Sequence, residues 1–402
     1  MAITNTTTQA NAVTTRYTSR YQRAALARAL YRQLAIGVDA PQFDLEGRRG
    51  MGSSYTFNFL SSLNPGSTAI SESADIVPQI FRDATSTVSP TSRGEAIKWS
   101  ELIDLEAYTD FIAARAEILG ENAEETIDNL AKAAALQGSA VIRGAARASL
   151  DAGTAGHLLT SSPFWSAASL VEEMRMPGLS NVDGQKRRMA IAHTDCMYDM
   201  INSNNVLSVA LYQDKELLFN GEIGSFAGFK IIASPWAKVF YGAGAANGSS
   251  ASTTLNDASA LALDKTMVVA SATNINVGRT LAVGTIETGD THYDMNESVR
   301  YVSGTTTVTF VGKGSNGGFR FDHANGDAVN NSDNVYPVAF GSPESLVHVY
   351  AKEVGPMGQM VGPLDDGLAK QWQSLAWKYY GNFGRVAENR ILRGEYASSL
   401  QS

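Results

Sequence analysis

Residues 120–153 read GENAEETIDNLAKAAALQGSAVIRGAARASLDAG. Asn122 offers an N-cap, and Glu125 three residues on completes a capping box, because each side chain can satisfy the other's orphan amide. Gly120 closes the preceding segment, which itself reads as helical from about Thr109. Ile127, Leu130, Ala134, Val141 and Ile142 make an apolar stripe at helical spacing on an Ala-rich element of more than twenty residues. Gly138 and Gly144 weaken its second half or allow a close neighbour. Gly153 and Gly156 end it.

Downstream, residues 157–240 alternate helix and strand. Ser162-Pro163 reads as an N-cap with a first-turn proline, opening a helix to about Met176. Lys186–His193 reads as a strand, and Thr194 caps a helix through Ile201. Phe219–Ile232, with Gly221, Gly224 and Gly228, reads as a hairpin into a buried strand, Phe229–Ile232. Residues 242–334 are rich in Gly, Ala, Ser, Thr and Asn, and strands such as Thr305–Val311 alternate with turns. Five basic residues face nine acidic ones there, so this β-rich insertion is a solvent-facing, acidic lobe. Val335–Phe340 and Leu346–Val354 read as strands. Trp372, Trp377, Tyr379, Tyr380 and Phe383 form the most aromatic stretch, expected in the core or an interface.

Upstream, Tyr55–Phe59 alternates as a strand does. Ile76–Arg82 and Glu95–Trp99 read as extended segments joined through 85–92, a long hairpin-like excursion whose Pro78 suits an edge or unpaired strand. Residues 16–35 carry Leu26, Leu30 and Leu34 at four-residue spacing and read as helical. Residues 1–35 hold Arg16, Arg20, Arg23, Arg28 and Arg32 and no acid. The rest of the chain holds 27 basic and 40 acidic residues. The overall net charge of −8 is therefore a +5 arm on a −13 body. Such an arm is suited to an anionic partner, nucleic acid or an acidic protein surface. A helix docked by its leucines with the arginines in solvent is compatible with that role.

The 402 residues are 44% hydrophobic and 18% charged, which excludes disorder along the whole chain and allows two or three compact units. One cysteine, Cys196, excludes an intramolecular disulfide and a Cys-rich zinc site. The first residues carry no signal-like pattern, and no stretch approaches the ~20 apolar residues of a membrane helix. A soluble protein of a reducing compartment is expected.

Chemical motifs are few. Gly312-Lys313-Gly314-Ser315-Asn316-Gly317 fits G-x-G-x-x-G, but the pattern needs a helix next, and Gly318–Asp322 is β-like. A Gly/Asn hairpin turn is the preferred reading. Asp322, His323, Asn325, Asp327, Asn331 and Asp333 could offer oxygens to a hard cation. Their order does not fit a calcium loop, and Asp and Asn are ordinary turn formers. None of the five histidines, His157, His193, His292, His323 and His348, stands in a metalloprotease or nucleophile motif. Cys196 lies early in a helix, where the dipole could activate it, but beside Met197 it reads as core. No catalytic residue, cofactor or metal site is assigned.

The order of these elements resembles the major capsid proteins of tailed bacteriophages, which share the Johnson fold with herpesvirus capsid shells. Residues 121–153 look like the spine helix leading into a glycine turn. Residues 216–234 look like the helix-to-hairpin passage of the axial domain, and 315–341 and 361–396 resemble one large phage capsid subfamily. The resemblance implies an α+β fold with an N-terminal arm, 1–51, and an extended loop, 52–100. It also implies a discontinuous peripheral domain, 101–156 with 345–396, and an axial domain, 157–344, carrying the 242–334 insertion. Residues 397–402 would be a C-terminal tail.

The implied function is assembly into hexamers and pentamers of an icosahedral head around double-stranded DNA, in the virion, after assembly in the bacterial cytoplasm. Its partners would be further copies, a separate scaffolding protein, a portal and a decoration protein, with no membrane. Arg16, Arg20, Arg23, Arg28 and Arg32 would be inner-surface contacts, with DNA or scaffold. Trp372, Trp377, Tyr379 and Tyr380 would be core or interface. Some relatives weld copies by a Lys–Asn bond from the extended loop. Residues 52–97 hold no lysine, and Lys98 stands at the base, so no such weld is expected. The rival readings are an encapsulin-type shell with enzyme cargo and, from another class, a soluble nucleotide-dependent enzyme using Gly312–Gly317.

Overall fold

The computed structural model describes residues 30–39, 54–60, 63, 78–106, 111–176, 188–203, 225–246, 252–258, 260–273, 275–284, 297–342, 345–351, 354–366, 371–385 and 387–401. The fold is α+β, with more strand than helix among these residues. Contacts divide the chain into two compact units. The first contains Ile36–Ala123 and Leu346–Ala387. The second contains Leu26–Ala35, Glu124–Ser345 and Glu388–Ser402.

The first unit is built on one 14-residue strand, Trp372–Arg385. Along one edge it pairs antiparallel with Thr91–Ser100, from Trp372↔Ser100 to Gly381↔Thr91. Gly381 also pairs with Tyr350, so Leu346–Tyr350 lies on the opposite edge, from Tyr350↔Gly381 to Leu346↔Arg385. Gln359–Asp366 follows along that same opposite edge, and Ala35–Asp39 lies beyond Leu346–Tyr350. Alternation explains the aromatic stretch. Leu375, Trp377, Tyr379 and Phe383 point to the buried face, while Trp372 on the opposite parity is half-exposed. A separate hairpin pairs Tyr55–Leu60 with Asp83–Val88. The 55–59 strand therefore stands, but its partner is 83–88, which overlaps the 85–92 stretch expected as a linker. Residues 78–82 form no regular structure, and the expected 95–99 strand begins at Thr91 and joins the main sheet. Thr and Val in 83–88 satisfy strand geometry even though Ser and Pro flank them.

The long helix runs Phe111–Leu136, 26 residues, so it neither stops at Gly120 nor starts at Asn122. An interior glycine costs only about 1 kcal/mol, which one buried apolar face outweighs. Ala116, Leu119, Ala123, Ile127, Leu130, Ala131 and Ala134 form that face. Asn122 is no cap. Its Oδ1 accepts a hydrogen bond of 2.9 Å from Trp377 Nε1. The helix also ends earlier than its stripe suggested. Gly138 takes φ +111°, a left-handed geometry that turns the chain out of the helix. Val141–Arg143 is then a strand, so Val141 and Ile142 leave the helical stripe.

The second unit carries two six-stranded sheets. In the mixed one the order is Val141–Arg143, Ile391–Tyr396, Tyr336–Gly341, Arg188–Ala192, Phe229–Ala233, Ser225–Phe226. Helices Ser161–Glu173 and Thr194–Ile201 contribute to its core. Phe164 from the first helix meets Phe226, Phe229 and Phe340 edge-on at 5.2–5.8 Å. The caps lie one or two residues earlier than expected, at Thr160 and at His193, whose Nδ1 accepts from Asp195 N. Residues 219–224 of the glycine hairpin lie outside the described residues. The other sheet is antiparallel throughout and falls within the β-rich stretch, in the order Thr266–Val268, Thr307–Val311, Glu297–Gly304, Thr280–Val283, Ala328–Asn330, Ser252–Thr254. It has its own core around Leu281, Val299, Tyr301, Val308, Phe310, Phe319 and Val329.

Candidate assembly surfaces

The arm enters the described chain at Leu30. Instead of the expected continuous helix, Tyr31–Leu34 is a 3-10 turn, followed by strand Ala35–Asp39. Leu30, Tyr31 and Leu34 are buried as their spacing suggested. Two acids of the long helix hold the turn. Asp128 Oδ1 accepts the backbone N–H of Leu30 at 3.1 Å and of Tyr31 at 2.8 Å. Lys132 Nζ lies 3.3 Å from the other oxygen of Asp128. Arg32 donates to Glu124 at 3.2 Å, and Lys238 N donates to the Tyr31 hydroxyl at 3.3 Å. The root of the arm is thus clamped, and the Arg32 guanidinium is committed to Glu124. Arg16, Arg20, Arg23 and Arg28 lie outside the described residues.

Burial pushes the Glu124 carboxyl up from 4.5 to about 7, against the pull of Arg32 and with help from the nearby Asp128 charge. The native state therefore holds this proton more tightly than the unfolded chain. The associated stability is fully present below about 4.5 and is lost as the pH rises through about 7. For this group the loss is on the order of 3 kcal/mol at most. Denaturation curves at pH 5 and pH 8 should show it, and Glu124→Gln should flatten the difference. An unchanged difference in Glu124→Gln would assign the pH dependence elsewhere.

The hairpin of the first unit is packed at its base, where Val88 meets Val347 and Val349 with Tyr55 and Phe57 against them. Thr56 and Thr87 share a cross-strand hydrogen bond of 3.2 Å. Beyond the base, Ile80 is 92% exposed and Phe81 60%, and Leu60 and Leu63 are exposed as well. Apolar side chains this open are unusual so close together.

The aromatic strand supplies mainly core. Trp377 and Tyr379 are buried, Tyr380 is half-buried, and Trp372 lies 5.7 Å beneath Lys98 Nζ. Tyr379 shares a 2.7 Å hydrogen bond with His348 Nε2, and the His348 ring stacks on Phe383 at 4.1 Å. Sequence reading gave no sign of this pairing, which depends on register between distant strands.

The chemical motifs resolve into structural parts. Gly312 N donates to Gly317 O and Gly314 N to Gly318 O, and turns rather than a helix follow, so no helix N-terminus awaits a pyrophosphate. Asp322 accepts from Ala262 N at 2.7 Å, Asp327 from Ala324 N at 3.0 Å, and Asp333 from Ala152 N at 3.0 Å. These are turn and loop contacts. His323 is buried, sharing a 3.0 Å bond with Glu297, a residue the sequence did not single out. Among the described residues no three His, Cys, Asp or Glu side chains gather in a metal-holding group. Cys196 is buried, and burial pushes its thiol well up, which is the opposite of activation. Among the described residues, no helix is long and apolar enough to cross a membrane.

No family model matches the sequence, and no curated protein is similar to it. Solved structures are similar. The capsid of Ralstonia phage GP4 superposes with TM-score 0.53 at 8% identity, covering 92% of this chain and 88% of that one. The capsid of cyanophage P-SCSP1u gives 0.52 at 13%, covering 92% and 89%. The capsid of cyanophage Pam1 gives 0.51 at 12%, covering 94% and 93%. With so few identical residues, the likeness is one of architecture carried along nearly the whole length of each chain. The chain has the fold of these phage capsid proteins.

Proposed function

We propose that the chain is a major capsid protein, copies of which close as hexamers and pentamers into an icosahedral head around double-stranded DNA. The observation that carries this reading is the shared fold over about nine-tenths of both chains. In that role residues 1–51 are the arm, 52–100 the loop that reaches a neighbour, and 101–156 with 345–396 the peripheral domain. Residues 157–344 are the axial domain with the 242–334 lobe. The exposed apolar residues of the hairpin suit burial against another copy, and weak contacts repeated over many copies sum through avidity. Closed symmetry limits growth. The work is structural, not enzymatic. Further partners are a separate scaffolding protein and a portal, with the virion as destination.

Electron microscopy and sedimentation of the chain, expressed alone and with its neighbouring gene products, test this reading. Closed megadalton shells are expected. A stable small oligomer in every combination would overturn it. Arg16, Arg20 and Arg23 changed together to Glu should spare the subunit fold and impair assembly or packaging, because the arm changes from +5 to −1. Normal DNA-filled particles from that variant would refute the role of the arm. Denaturing gels of mature particles should show a monomer band without a ladder, since Lys98 is at the base of the loop and none precedes it in 52–97.

A further inference from the structure

One loop of the β-rich lobe is built against its own backbone preference. Leu263 has φ +77°, and among the described residues it is the one large apolar side chain in the left-handed region. That region is costly for a residue with a branched side chain, and glycine or asparagine would be cheaper. Yet Leu263 is 50% exposed and its neighbour Leu261 52%, so neither is repaid by burial within the subunit.

The loop is pinned from all sides. Leu263 N donates to Phe319 O at 2.8 Å, and Phe319 N to Asp264 O at 2.8 Å. Asn316 Nδ2 donates to Leu263 O at 3.0 Å. Leu261 N donates to Asp264 Oδ2 at 3.0 Å, and Ala262 N to Asp322 Oδ1 at 2.7 Å. Gly318 passes so close that a Cβ there would lie 2.3 Å from Leu263 O. The hydrogen bonds hold two leucines in a fixed, exposed presentation, bracketed by the carboxylates of Asp264 and Asp322. Strain held in place this way is what a preorganised contact needs, because little order remains to be lost on binding.

The same unit has a cleft of about 540 Å³ with the opposite character. Trp236, half-exposed, Tyr241 and Tyr336 supply aromatic surface, Lys313 and Arg320 supply positive charge, and Asp195 supplies one carboxylate. Lys313 Nζ donates to the Tyr241 hydroxyl at 2.8 Å and stands 4.9 Å over its ring. Arg320 pairs with Glu125 and lies 5.9 Å from the Trp236 ring. Lys313 belongs to the Gly312–Gly318 turn that also carries Asn316, the residue pinning Leu263. Leucine loop and cleft are therefore carried by neighbouring turns.

We propose that the Leu261–Asp264 loop is a preformed knob that docks in the Trp236–Lys313 cleft of a second copy of this chain. Apolar meets aromatic, and the acidic rim of the loop meets Lys313, whose ammonium is bonded to the neutral Tyr241 hydroxyl. Because one copy carries both parts side by side, a two-fold pairing makes the contact twice. The proposal rests on the capsid reading, in which copies meet repeatedly.

The test uses particles co-assembled from two single variants, Leu263→Cys and Ser298→Cys, the latter in the cleft wall. A short bismaleimide should give a crosslinked dimer, with wild-type particles as the silent control because Cys196 is buried. Leu263→Gly, which relieves the backbone, should melt no lower than wild type as a free subunit. It should nevertheless lower particle yield roughly tenfold. Either a missing dimer band or wild-type yield from Leu263→Gly overturns the docking. Wild-type chains that form no particles overturn the capsid reading itself and the docking with it.

Discussion

Changing Glu395 to Ala is expected to destabilise the subunit by about 3–5 kcal/mol, enough to leave little folded protein. The carboxylate is wholly buried and faces three guanidinium groups. Arg147 holds it with Nη2 at 2.5 Å and Nε at 3.1 Å, Arg393 Nε lies at 2.9 Å, and Arg143 Nη1 at 3.4 Å. Arg393 also donates to Leu136 O, the last carbonyl of the long helix, and Arg147 stacks 4.4 Å over Phe240. Removing it takes away the carboxylate that all three guanidinium groups face, so their mutual repulsion is no longer offset by it. Glu395→Gln, which keeps shape and acceptor, should lose about half as much. Urea denaturation of the three proteins reads this directly. A loss below about 1 kcal/mol for Glu395→Ala would mean that water or rearranged arginines take over the carboxylate's role.

The second large effect is on assembly. Ile80→Glu with Phe81→Ser should leave subunit stability within about 0.5 kcal/mol of wild type, since both side chains are exposed and in no regular structure. Particle yield should nevertheless fall by roughly a hundredfold or more. If each side chain is buried against a neighbouring copy, it contributes about 2 kcal/mol per subunit. That loss recurs in every copy of a shell. Sedimentation of lysates with negative-stain imaging measures the outcome. Wild-type yield would mean that these residues are not part of the subunit interface.

Part of this architecture is legible in the chain. Regular periods survive tertiary packing, so the Tyr55–Phe59 strand, the helix after Ser161 and the strand ending at Phe340 are found close to where their patterns place them. The errors are local signals overruled by larger ones. Asn122 and Glu125 have the spacing of a capping box, and Gly120 looks like an end, but a continuous buried face carries the helix through all three. The leucines of 26–34 are spaced for a helix, yet at Leu30 and Tyr31 the backbone turns its N–H groups onto Asp128.

The amino-acid sequence by itself determined the periodic elements, the separation of a +5 arm from a −13 body, and the order of parts that resembles a phage capsid protein. Each is a property of neighbours along the chain, where side-chain period and charge are written directly. Tertiary structure alone decided which acids are buried and what they hold. Glu395 meets Arg143 and Arg147 from about 250 residues away, and Asp128 meets the arm root from 97 and 98 away. It alone turned Leu263 into an exposed, strained residue on a turn next to the cleft lined by Trp236 and Lys313. Long-range pairing depends on strand register and loop closure, which any one segment leaves open until the others are packed against it.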